Sequence, residues 1–160
     1  MSLRSLLPLL ALTLTTAWAQ ASFSDGQKAL ASGDAQKALT IARALNKQMP
    51  DELDPWGLIV DAARALGKTE EAEKAAQWMI NLRPDDPRGL WRVASLREDA
   101  GDLSGAEEAL VLCYNRVSRT DTAWRATLMK QMVRLYTKTG RTKEAERLTQ
   151  EISKLTENKK

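Results

Sequence analysis

Apolar residues return every three or four positions along most of this chain. Ala145, Leu148, Ile152 and Leu155 fall on one face of a helix, and Glu144, Arg147, Glu151 and Lys154 lie away from it. Ala72, Ala76 and Met79 make a similar face between Gly67 and Pro87. The same register places Leu45, Met79, Cys113 and Ile152 at equivalent packing positions, which predicts a buried Cys113. The acidic cluster Glu70, Glu71 and Glu73 follows Gly67, where the positive end of a new helix favours carboxylates. That cluster reads as a capped helix start and a spacer.

Four short pieces share a pattern: ASGDAQKAL from Ala31, ALGKTEEAE from Ala65, DAGDLSGAEEA from Asp99 and KTGRTKEAERL from Lys138. Their glycines, Gly33, Gly67, Gly101 and Gly140, are separated by 34, 34 and 39 residues. An alanine stands five residues after each: Ala38, Ala72, Ala106 and Ala145. Each unit predicts two helices, the first ending at the glycine in a left-handed turn, the second running for about four turns. Pro50 and Pro84 close the second helices of the first two units, because proline lacks the N–H that continues a helix. A period in this range is the signature of a stacked repeat.

At these residues the chain resembles the tetratricopeptide repeat family, over about Gln20 to Leu155. Trp56 and Leu90 match the bulky residue early in the first helix, the glycines match the turn, and the alanines match the small residue of the second helix. The resemblance implies an all-α fold, an α-solenoid of about four stacked helix-turn-helix repeats in a right-handed superhelix. The repeats fall at about 20–52, 53–86, 87–120 and 121–155, with a short tail at 156–160. Ser118 stands where the third unit should have proline, and the fourth unit is displaced by five residues. This predicts a longer first helix there, starting near Asp121 or Thr122. In the first unit, Ser24 and Gln27 suggest a capping box, and Gly26 and Ala29 stand where larger apolar residues are usual.

In this family the first helices line a concave groove that holds a segment or helix of another protein. By register the resemblance places Phe23, Gln27, Gly57, Asp61, Arg64, Trp91, Ser95, Glu98, Asp99, Lys130, Arg134 and Lys138 in that groove. Trp91 follows Leu90, which takes the packing position, so its indole is expected to point out of the core. Lys130, Arg134 and Lys138 form a cationic stripe along one helix. The family's clamp for a carboxy-terminal carboxylate is not matched, since the first unit offers Phe23 and Gln27 and the second an acidic Asp61.

The N-terminus departs from the repeat. Arg4, an apolar run from Leu6 to Leu14 and the Ala17-Trp18-Ala19 ending have the layout of a bacterial secretory signal, with cleavage after Ala19 or Ala21. The run is shorter than the ~20 residues of a spanning helix, so no permanent anchor is expected. The mature chain would then be periplasmic or secreted.

Composition narrows the chemistry. Histidine is absent and there is one cysteine, which removes the usual general base, internal disulfides and thiolate metal clusters. The formal charge of +3 is too small to argue for nucleic acid. Charge is nevertheless uneven, with nine acidic and four basic residues over 51–86 against five and ten over 121–160. These features argue against an enzyme or a metal protein, and the resemblance implies a non-catalytic adaptor without cofactor whose partner is another protein; a structural or assembly subunit of an envelope complex, through repeat stacking or self-association, is the alternative.

Overall fold

The structure is a computed structural model that describes residues 22–157. The expected signal segment and the terminal Asn158-Lys159-Lys160 lie outside the described residues. Among the described residues eight helices follow one another: α1 (Phe23–Ala31), α2 (Ala35–Gln48), α3 (Leu53–Ala65), α4 (Thr69–Leu82), α5 (Pro87–Asp99), α6 (Leu103–Arg116), α7 (Thr122–Lys138) and α8 (Thr142–Glu157). They pair as antiparallel hairpins, and each hairpin stacks on the next.

Each hairpin turns at its glycine, with φ of +85° at Gly33, +69° at Gly67, +79° at Gly101 and +73° at Gly140. A side chain there would strain the backbone, and glycine adopts this region freely. Ala38, Ala72, Ala106 and Ala145 are all buried, so paired helices approach closely where these methyl groups meet them. Helix α4 stops one residue before Arg83-Pro84, and Asp86 caps α5 with Pro87 in its first turn. The long first helix of the fourth unit begins after Asp121, whose side chain accepts from the Trp124 N–H.

The cap of α1 differs from the expected one. Ser22, not Ser24, is the N-cap, and its partner is Asp25 rather than Gln27: the Asp25 N–H bonds the Ser22 hydroxyl and the Asp25 carboxylate accepts from the Ser22 N–H. Gly26 and Ala29 are both buried. A Cβ on Gly26 would lie 2.4 Å from Leu58 Cδ2, so the small residues bring α1 down onto α3.

Two clusters share the core. Ala38, Leu39, Leu58, Val60 and Met79 belong to the first, between α1 and α4. Leu90, Leu110, Cys113, Leu128 and Leu135 belong to the second, between α5 and α8. Val93 packs against both. The first helices crowd together, α1 on α3 and α3 on α5, while no backbone contact joins α2 to α4 or α4 to α6. Closeness on one side and splay on the other put the first helices on the inner face of the curve. Helices α5 and α7 are the exception, because their backbones do not touch. The five extra residues of the fourth unit widen that junction.

The inner face and its ion-pair ladder

The inner face is built from bonds between side chains about one repeat apart. Arg88 on α5 reaches Asp54 on α3 at 2.7 Å, Arg92 reaches Asp61 at 2.8 Å, and Arg64 pairs with Asp99. Their separations of 34, 31 and 35 residues lie within a turn of the repeat period. In a solenoid, residues one period apart stand side by side, and a change of one turn only moves the pair along the helix. Arg92 also donates to the Gly57 carbonyl at 3.2 Å. Gly57 is buried beneath that guanidinium, which a Cβ would meet at 2.7 Å, so it supports Arg92 rather than opening onto the groove.

The wide junction between α5 and α7 is crossed by longer side chains. Trp91 Nε1 donates to Gln131 Oε1 at 3.0 Å, Gln131 Nε2 donates to Glu98 at 3.4 Å, and Lys138 pairs with Glu98. Burial pushes the Glu98 carboxyl up, but the hydrogen bonds of Lys138 and Gln131 and the charges of Lys138 and Arg134 together hold it below its ordinary value. Asp99 is held down first by its hydrogen bond from Arg64, against a smaller opposing effect of burial.

Several expected groove residues meet here and others do not. Phe23, Gln27 and Asp61 line one cavity of about 290 Å³ with Leu30, Leu58 and Arg92. Phe23 also packs against the first core cluster. The expectation that Trp91 points away from the core does not hold: the indole is half-buried, packs against the second cluster and fills the α5–α7 gap. Ser95 is buried as well, with its hydroxyl donating to the Trp91 carbonyl. Glu98 and Lys138 are engaged with each other. Lys130 and Arg134 are exposed, with no hydrogen-bond or ion-pair partner among the described residues. Sequence reasoning missed Arg88, Arg92 and Gln131, although the repeat-period spacing to Asp54, Asp61 and Trp91 was there to be read.

The acidic cluster after Gly67 is more than a spacer. Lys68, at the N-cap, makes no side-chain cap bond. Glu70 pairs with Lys74, and Glu71 crosses to Arg43 on α2. Cys113 is fully buried beside the Pro87 carbonyl, and burial pushes its thiol up to about 12.

Residues 29–96 match the sequence profile described as tetratricopeptide repeat. The fold is a tetratricopeptide-repeat solenoid. No curated protein matches the chain in sequence. Among solved structures, TTC0263, a thermophilic TPR protein of Thermus thermophilus, superposes with a TM-score of 0.74 at 17% identity, over 83% of this chain and 71% of that one. The translocator chaperone SycD of Yersinia enterocolitica type III secretion gives 0.64 at 16% identity, over 74% and 83%. PcrH, solved in complex with the chaperone binding region of PopB, gives 0.58 at 21% identity, over 66% and 87%. At these identities the three structures share a backbone path with this chain and leave its partner open.

Proposed function

We propose that this protein is an exported, non-catalytic adaptor that binds a segment of a partner protein along the inner face of its solenoid. The observation that carries the reading is the contrast within that face. Most of its charges form ion pairs with neighbouring repeats, whereas Lys130 and Arg134 on α7 make no hydrogen bond or ion pair among the described residues, and Arg134 acts on Glu98 only through its charge at a distance. A segment with acidic residues opposite this pair, and an apolar side chain seated beside Phe23 and Leu30, matches the two ends of the face. The solved complexes of PcrH with chaperone binding regions of PopB and PopD support a protein partner for a fold of this kind.

The test is capture of the partner by the wild-type chain, followed by mapping of the bound segment with synthetic peptides. Lys130→Glu with Arg134→Glu should abolish capture of that peptide, while Lys154→Glu on α8 should leave it intact. Equal binding by all three chains would overturn the reading. Export is tested separately by the N-terminal mass of the protein recovered from the cell envelope, which should begin after Ala19 or Ala21. Among the described residues no helix is long and apolar enough to cross a membrane.

A second reading is an assembly subunit that stacks on a copy of itself or on another repeat protein. It is favoured by α8, where Leu148, Ile152 and Leu155 stay only half-covered at the end of the stack. Sedimentation at micromolar concentration separates the two, since the adaptor reading expects a monomer.

A further inference from the structure

A cavity of about 560 Å³ lies on the opposite side of the molecule, among α2, α3 and α4. Two tryptophans form its apolar wall. The rings of Trp56 and Trp78 stand 5.8 Å apart at 44°, making an open wedge. Trp56 is fixed by donating its indole N–H to the Pro50 carbonyl at 2.7 Å. Trp78 is 50% exposed, although most large apolar side chains of the stack are covered.

The polar wall is paired and neutral. Arg43 donates through Nε and Nη2 to Glu71 at 2.6–2.9 Å, and Lys74 pairs with Glu70. Two cations and two anions therefore line the cavity with no net charge. A guanidinium has five N–H donors and a carboxylate about four acceptor sites, so the Arg43–Glu71 pair retains both kinds of group side by side. Asn46, at the same wall, has a buried Nδ2 without a hydrogen-bond partner among the described residues.

We infer that this outer cavity is a binding site for a neutral saccharide unit. A pyranose has a face of C–H groups that lies flat on an indole and a rim of vicinal hydroxyls, each both donor and acceptor. That rim matches adjacent donors and acceptors fixed in one plane, as the Arg43–Glu71 pair provides. An ionic ligand gains nothing from a lining whose charges cancel. A purely apolar ligand would desolvate the Arg43–Glu71 ion pair without replacing its hydrogen bonds to water. Neither feature belongs to the inner face, so the site is independent of the protein-binding reading.

The experiment is an NMR titration of the full chain, following indole N–H signals assigned with single Trp→Phe variants. The probes are cellobiose, maltose and N,N′-diacetylchitobiose at ~50 mM, well above a weak dissociation constant of ~1 mM. With at least one of them the Trp56 and Trp78 signals should shift saturably, and those of Trp91 and Trp124 should not. Trp78→Ala should abolish the response, and Arg43→Gln should weaken binding about tenfold while leaving the remaining indole signals in place. No shift with any probe, or a shift that survives Trp78→Ala, would overturn the assignment. Loss of the captured partner peptide in Trp78→Ala without any sugar response would likewise overturn it and make the wedge a protein contact.

Discussion

The indole N–H of Trp91 donates to the side-chain carbonyl of Gln131, 40 residues along the chain, and this bond spans the one junction where first helices do not touch. Trp91 is therefore a spacer between the third and fourth repeats. Trp91→Ala should destabilise the fold by ~2 kcal/mol, below the range for a fully buried tryptophan because the ring is half-covered. Trp91→Phe keeps the packing and loses the bond, with an expected loss of ~1 kcal/mol. Urea unfolding of both variants checks the order. If Trp91 were chiefly a partner anchor, Trp91→Ala would lose the captured peptide with no change in the urea midpoint.

Gly89 makes the corresponding close approach at the junction between α4 and α5. A Cβ there would lie 2.8 Å from Ile80 Cγ1 and 3.2 Å from the Ile80 backbone nitrogen, and the backbone has little room to yield. Overpacking costs ~1–3 kcal/mol, whereas replacing glycine in a helix returns only ~0.5–1 kcal/mol. Gly89→Ala should thus be destabilising by about 1 kcal/mol on balance. Thermal unfolding beside wild type measures it, and a raised midpoint would refute the contact as a constraint.

The repeat was legible because its physics needs particular residues at fixed places. Gly33, Gly67, Gly101 and Gly140 mark left-handed turns, and the buried alanines mark close helix contacts. Orientation was harder to read. Leu90 takes the packing position as expected, but Trp91 is covered too, because α5 faces α7 across a gap that a displaced repeat creates. The cap at Ser22 was missed because Ser24 and Gln27 fit the common pattern, while the working carboxylate is the shorter Asp25. Ion pairs such as Arg92–Asp61 obey the period only to within a turn, so register alone does not choose among neighbours.

Glu98 gives the stack an acid sensitivity. Its carboxyl is held below the ordinary value of 4.5 in the folded chain, so folding favours the charged form. A depressed carboxyl contributes stability that is complete above the unfolded value and is lost as pH falls through the folded one. The Glu98 side chain is 13% exposed but Lys138 is 53% exposed, and solvent screening limits the pair to about 1 kcal/mol. Glu98→Gln should lower the melting temperature at pH 7 and have little effect at pH 3. A similar penalty at both pH values would show that Glu98 acts by shape rather than charge.

Cys113 should be inert while the chain is folded. Its thiol is buried in the second core cluster and pushed from 9.0 up to about 12, so almost no thiolate forms near pH 8. Unfolding exposes it and restores the ordinary value, which gives a reagent such as iodoacetamide a thiolate to attack. Alkylation at pH 8 should be slow in buffer and rise steeply through the urea transition, tracking the population of opened molecules. The raised value also fixes the sign of the alkaline response. The group favours folding below pH 9, and that contribution is lost progressively as pH rises toward 12. Cys113→Ala removes this titration but leaves a cavity, whereas Cys113→Ser keeps the volume and adds a hydroxyl in apolar surroundings. The serine variant should lose ~1–3 kcal/mol unless the Pro87 carbonyl accepts its proton, as it accepts the thiol's at 3.3 Å. Alkylation in buffer as fast as in urea would mean that the third repeat opens without the rest of the stack.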